Sequence, residues 1–121
     1  MERTRIVLID MSPLLREIVR EALSDEPDLD VVAEHDAVAD VGEAVARAAA
    51  NFIIVGSDAA THDSVRAFVA STRGVRALEV QSGGKESVLY ELRPHRVSLG
   101  EISTDTLLRT IRAAPAWDTE P

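Results

Sequence analysis

The sequence lacks several features that define well-known functional classes. It has no cysteine, which excludes a disulfide framework and thiolate chemistry and agrees with a cytoplasmic location. No apolar run approaches the roughly 20 residues needed to span a bilayer, so we expect no contact with the membrane. The apolar stretch that follows Arg5 is also too short for a signal peptide.

Positive charge is scarce as well. The chain carries 13 Lys and Arg residues against 21 Asp and Glu residues, a formal net charge of -8. Because nucleic-acid binding draws most of its affinity from Lys and Arg on phosphates, this balance argues against a nucleic-acid partner. Lys85 is the only lysine. The acidic stretch from Asp25 to Asp36 is either a solvated rim or a negative face for a basic partner.

Strands and helices alternate along a chain whose 121 residues suit one domain. Residues 5–9 form an apolar run that ends at Asp10, as expected of a strand buried on both faces. The alternation then recurs. Further strands are predicted at 31–33, 52–55, 77–80 (weakened by Glu79) and 96–99. Helices are predicted after the caps Ser12, Asp40 and Ser103, around Val65, and as a short segment through Val88, Leu89 and Leu92.

Five strands alternating with five helices imply a parallel sheet covered on both faces. In such a sheet, ligands and catalysis belong at the carboxyl ends of the strands. The residues to inspect there are Asp10, Met11, Gly56, Ser57, Asp58, Gln81, Ser82 and Gly100. We expect residues 1–114 to form the domain and residues 115–121 to be a tail or a linker stub.

Three stretches carry a resemblance to a known family: RIVLIDMSPLLREIVREAL at 5–23, VVAE at 31–34 and STDTLLRTIRAA at 103–114. With them the chain resembles a receiver domain of bacterial two-component response regulators, in the branch that usually carries a helix-turn-helix output domain. The resemblance covers residues 4–114. It implies an α/β, flavodoxin-like (βα)5 three-layer sandwich with a parallel sheet of order 2-1-3-4-5.

The family's chemistry needs side chains that this sequence lacks. Receivers accept a phosphoryl group on an aspartate at the end of strand three. Two acidic residues after strand one help to hold a Mg²⁺ ion, and a hydroxyl after strand four and a lysine after strand five contact the phosphoryl oxygens. The cations are needed because the added negative charge must be offset. In this sequence Asp10 matches the first acid, but Met11 stands at the position of the second acid and Gly56 at that of the acceptor. Gln81 stands at the hydroxyl position, and Gly100 stands at the lysine position. The resemblance therefore implies a degenerate site with no catalytic residue, no metal and no cofactor, and a protein that is not an enzyme.

Two alternatives remain open at this edge. A displaced acceptor, Asp58 or Asp10, would keep phosphorylation, although using Asp58 requires a slip that pushes Ser57 and Gly56 into a buried strand. Alternatively, the glycines at 56 and 100 open a pocket for a small ligand above Asp10 and Gln81.

Related receivers dimerise or bind partners through the face of helix four, strand five and helix five. In this chain that face is expected to present the arginines Arg93, Arg96, Arg109 and Arg112. The face is either an interface with a second copy or an acidic protein, or an ordinary solvated surface. We predict a phosphorylation-independent protein–protein interaction module of bacterial signal transduction that forms a homodimer.

Overall fold

A computed structural model describes residues 3–36, 40–56, 59–72, 74–81, 86–91, 95–98 and 100–112. The described residues form six strands: β1 (Thr4–Ile9), β2 (Leu29–His35), β3 (Phe52–Val55), β4 (Arg76–Gln81), β5 (Glu86–Glu91) and β6 (His95–Ser98). They also form four helices: α1 (Pro13–Ser24), α2 (Val41–Ala48), α3 (Ala59–Ser71) and α4 (Thr104–Arg112). The predicted tail, residues 115–121, lies outside the described residues.

The sheet has the order β2-β1-β3-β4-β5-β6, and its first four strands run parallel. Ile6 lies beside Phe52, and Ile9 lies beside Val55. The apolar residues of β1 and β3 are at most 1% exposed. Strands covered on both faces have no solvent side, which explains their unbroken apolar runs. The predicted parallel arrangement is confirmed for this half of the sheet.

The other half of the sheet differs from the prediction. β5 runs antiparallel to both β4 and β6, so the sheet is mixed, and the expected all-parallel sheet of order 2-1-3-4-5 is wrong there. The segment predicted as a short helix through Val88 and Leu89 is strand β5; Leu92 lies outside the described residues. The strand predicted at 96–99 is β6, which has become the sixth strand of the order.

The extended conformation of β5 lets two neighbouring apolar residues serve opposite faces. Val88 lies opposite Glu79 and is 4% exposed, whereas Leu89 lies opposite Leu78 and is 9% exposed. In a helix these neighbours would share one side, but in a strand they point to opposite faces. Leu89 joins one core, and the next residue, Tyr90, packs against the other. A short apolar run is compatible with either element, so periodicity alone leads to the wrong choice here.

Helices cover both faces of the sheet and give a three-layer α/β architecture, broadly flavodoxin-like. On one face Val19 of α1 and Leu107 of α4 join a core with the even-numbered side chains of β1, β3 and β4. On the other face Val45 of α2 and Val65 of α3 pack against the odd-numbered side chains of β1 and β3. Each helix thus buries one apolar stripe, as expected, although Leu14 and Ile18 of α1 are 71% and 54% exposed.

Three helix starts occur at the predicted caps. The Ser12 hydroxyl accepts the N–H of Leu15 at 3.2 Å, and the Asp40 carboxylate accepts the N–H of Glu43 at 3.0 Å. Ser103 accepts the N–H three residues further on at 3.2 Å. Each side chain satisfies one of the N–H groups that a helix leaves unpaired at its start. These three predictions are confirmed.

Two arginines hold helix ends at the opposite, amino edge of the sheet. Arg5 of β1 donates to the carbonyl of Ala48 at 2.8 Å, at the end of α2. Arg76 of β4, only 7% exposed, donates to the carbonyls of Thr110 and Ile111 at 3.3 and 2.8 Å, at the end of α4. A guanidinium here satisfies terminal carbonyls and opposes the negative end of the helix dipole.

Candidate functional site

The carboxyl ends of β1, β2 and β3 meet at a tight junction. The N–H of Asp10 donates to the carbonyls of both His35 and Asp36 at 2.9 Å, and the N–H of Gly56 donates to the carbonyl of Ile9 at 3.0 Å. Asp10 has φ 53°, in the left-handed region. Aspartate is among the few non-glycine residues that adopt this region with any frequency. The loop that follows β1 is therefore folded tightly over the sheet edge.

Gly56, which follows β3, has no room for a side chain. A Cβ atom built there would lie 2.5 Å from the carbonyl oxygen of Asp10, 2.7 Å from Cα of Met11 and 3.0 Å from Cγ of Met11. Contacts below about 3 Å between such atoms are strongly repulsive. In this backbone arrangement the position expected for a phosphoryl acceptor can hold only glycine. Met11, 5% exposed, packs where a second acid would stand.

The junction does not fit the Mg²⁺ ion that receivers with the full set of side chains use. Mg²⁺ prefers oxygen ligands in near-octahedral geometry. Beside the carboxylate of Asp10, the junction offers the thioether of Met11 and the bare backbone of Gly56. Among the described residues, no group of three or more His, Asp or Glu side chains is placed to hold a metal ion.

The junction unites Asp10, Met11 and Gly56, but it does not bring all five expected positions together. Because β5 stands between β4 and β6, β6 is three strand spacings from β3, about 14 Å rather than the about 10 Å of the predicted order. Gly100, after β6, is exposed with φ 73°. Asp58, Ser82, Lys85 and the side chain of Gln81 lie outside the described residues.

The predicted arginine face is only partly described. Arg93 and the side chain of Arg96 lie outside the described residues, while Arg109 is exposed on α4. Arg112 makes two 2.9 Å hydrogen bonds to the Asp28 carboxylate and a further ion pair with Glu26. Arg112 therefore ties the end of α4 to the loop between α1 and β2.

The Arg112 contact affects the titration of both partners. Its hydrogen bonds hold the pKa of Asp28 below the ordinary value of a carboxyl group, because they favour the charged form. The same bonds, together with that to Glu26, raise the pKa of the Arg112 guanidinium. The ion pair therefore stays charged throughout the neutral pH range.

A buried charged cluster between α3, β4 and β5 was not predicted. The carboxylate of Glu79, fully buried on β4, accepts two hydrogen bonds from Arg66 of α3 at 2.8 and 2.9 Å. His62 approaches the same carboxylate at 3.6 Å through Nδ1, and its buried Nε2 has no hydrogen-bond partner. The guanidinium of Arg66 lies 5.2 Å from the ring centroid of Tyr90 on β5.

This cluster is best described as a structural ion pair. The bidentate pair balances the charge of Glu79, and the hydrogen bonds that Arg66 donates to that carboxylate raise the pKa of the Arg66 guanidinium. Tyr90 closes the cluster on the side of β5. The one sequence signal was Glu79 itself, a charge inside an apolar strand, because a buried carboxylate requires a partner. Sequence spacing did not identify Arg66 as that partner.

Comparison of the chain with protein-family models, curated proteins and solved structures finds no match in any of the three. Across the described ranges, no helix combines the length and apolar character needed to cross a membrane.

Proposed function

We propose that the chain is an atypical, receiver-like module of bacterial signal transduction that acts without phosphorylation, by binding other proteins. The resemblance over residues 4–114 supports this proposal, as do the strand order 2-1-3-4 and the helices on both faces. In this proposal the fold is the flavodoxin-like receiver scaffold, with one antiparallel strand inserted before its last strand.

The single observation that carries the proposal is the closed environment of Gly56. A receiver's acceptor carboxylate extends from this position into an acidic, metal-binding site. Here the backbone of Asp10 and Met11 lies within 2.7 Å of the first side-chain atom that such a residue would have. An acceptor at position 56 is therefore sterically incompatible with this loop. The Cγ atom of Met11 also lies 3.0 Å from that first side-chain atom.

The decisive experiment is incubation of the purified chain with Mg²⁺ and acetyl phosphate, read by intact mass. We expect no stable gain of a phosphoryl group. Parallel samples of Asp10→Asn and Asp58→Asn identify the acceptor if a phosphoryl group is gained, because each variant removes one candidate displaced acceptor.

A phosphoryl gain in the wild type that disappears in one of these variants would contradict the proposal and identify the acceptor. A receiver of ordinary sequence, phosphorylated in the same buffer, shows that the donor is active.

For the binding half of the proposal, α4 supplies the most concrete surface. Arg109 is exposed beside Leu108 in a groove of about 510 Å³ that Asp105 and Arg112 complete. If this face joins two copies, Arg109→Glu weakens self-association in sedimentation equilibrium, because it reverses the charge that the face presents. Arg47→Glu, at an exposed arginine on α2, is the matched control. Self-association that responds equally to both variants would exclude α4 as the interface.

A further inference from the structure

The loop after β1 is held by a side chain as well as by the backbone bonds of the junction. Arg16 of α1 donates through Nη2 to the carbonyl of Met11 at 3.3 Å and to the carboxylate of Asp36 at 3.0 Å. Its Nε lies 3.7 Å from Glu34. One guanidinium therefore connects α1, the loop after β1 and the end of β2. The fork of donors makes arginine suited to such a three-way contact.

Met11 holds the same loop from the inside. Its side chain belongs to the core cluster that contains Leu8 and Ile54, and its Cγ is one of the three atoms crowding Gly56. A methionine fills irregular space well because it is unbranched. Met11 thus anchors the loop to the core, and the guanidinium of Arg16 holds the same loop from the outer side.

We propose that Met11 and Arg16 form an edge latch that holds the loop after β1 against the end of β3, through Met11, and the end of β2, through Arg16. The latch keeps the carboxyl edge of the sheet in one arrangement that needs neither a metal ion nor a phosphoryl group. This inference rests on the proposed function and deepens it. It identifies the two residues that set the conformation of a site that phosphorylation does not control. It is testable in the unmodified protein, so it can fail while the phosphodonor result stands.

Two backbone amides report on the latch. The N–H groups of Asp10 and Gly56 each donate across the junction and exchange with solvent when it opens. Two amides at the amino edge serve as references: Asn51, which donates to Arg5 at 3.0 Å, and Arg76, which donates to Asn51 at 3.2 Å. The ratio of junction to reference exchange rates, measured by NMR, separates local opening from global unfolding.

A matched pair of variants on α1 tests the contribution of Arg16 to the latch. Arg16→Gln removes the contacts to Met11 and Asp36, and we expect it to raise the junction-to-reference exchange ratio by about tenfold. Arg20→Gln is the control. Arg20 lies one turn further along α1, and its Nε pairs with Glu34 of β2 at 3.3 Å. We expect Arg20→Gln to leave the ratio unchanged.

The inner half of the latch is tested at Met11. Met11→Ala is expected to raise the same ratio by about tenfold, and the volume-conserving Met11→Leu to restore it. If Met11→Ala does not fold, the smaller truncation Met11→Val replaces it. Val19→Ala, at a core position of α1 away from the junction, shows the response to lost core packing alone. Exchange ratios that stay within about twofold of the wild type in both Arg16→Gln and the Met11 truncation would overturn the latch. An equal rise in Arg20→Gln or Val19→Ala would do the same.

Discussion

Replacing Gly56 with alanine tests the close approach on which the functional proposal depends. The new Cβ would lie 2.5 Å from the Asp10 carbonyl oxygen and 2.7 Å from Cα of Met11. To reach an ordinary contact, that carbonyl has to retreat by about 0.9 Å. The adjacent N–H of Asp10 is held by two 2.9 Å hydrogen bonds, so the retreat strains the end of β2 as well.

The expected cost follows from the nature of the crowded atoms. Overpacking a core by one methyl group usually costs about 1–3 kcal/mol, and flexible side chains reduce the cost by rotating away. Here two of the three crowded atoms are backbone, so we expect Gly56→Ala to lose about 3 kcal/mol of unfolding free energy. For a domain of this size the loss corresponds to a fall of about 10 °C in melting temperature.

Urea denaturation followed by circular dichroism measures this change, and two variants make it specific. Gly42→Ala in α2 is the control, because its Cβ would meet side-chain atoms and no backbone atom, the ring of Phe68 at 3.2 Å and Oδ1 of Asp40 at 3.4 Å, and alanine favours the helix. We expect a change between zero and about 1 kcal/mol of added stability. We expect the added substitution Met11→Ala not to restore the stability that Gly56→Ala loses, because the contacts of the new Cβ with the Asp10 carbonyl oxygen and with Cα of Met11 remain. A Gly56→Ala protein within about 0.5 kcal/mol of the wild type would refute the closed junction.

Perturbations elsewhere in the molecule give three further expectations. Arg66→Met should cost about 3 kcal/mol in urea denaturation because it removes both hydrogen bonds that Arg66 donates to the buried carboxylate of Glu79, a value at the low end of the range because Arg66 is 38% exposed. The double variant with Glu79→Leu should recover to within about 1 kcal/mol of the wild type, and a failure to recover would contradict a pure ion-pair effect. Arg76→Met should cost about 2 kcal/mol in the same assay by orphaning the last carbonyls of α4, and Arg76→Lys should not restore it; full rescue by lysine would refute the two-carbonyl contact. Because Arg112 lowers the folded-state pKa of Asp28, its stabilisation is complete above the ordinary value of 3.8 and is lost as the pH falls through the folded-state value. The wild type should therefore lose stability more steeply in acid than Arg112→Met, and parallel pH profiles would contradict the assignment.

Local signals in the sequence were sufficient for much of the fold. The apolar run before Asp10 indicated a doubly covered strand, and the hydroxyls of Ser12 and Ser103 marked helix starts because each cap is satisfied by a neighbour three residues away. The absence of a side chain at position 56 was also visible. That this absence is enforced by the backbone of Asp10 and Met11 was not, because residue types do not reveal how closely two loops approach.

The features that were missed depend on contacts between distant residues. Val88 and Leu89 suit a helix as well as a strand, and the choice depends on pairing with β4 and on the cluster around Glu79. Arg112 was expected on an open face, whereas its partner Asp28 is 84 residues away. Neither contact can be predicted from the periodicity of the local sequence.

The position of strand β5 limits which chemistry protein engineering could introduce into this molecule. Suppose an aspartate were placed at position 56 and a lysine at position 100, with the β1 loop remodelled to admit the acid. The two charges would still start from strands separated by two others rather than one. No exchange of side chains closes that gap. Only removing or rerouting residues 86–91 would, so the barrier to introducing such chemistry lies in the path of the chain.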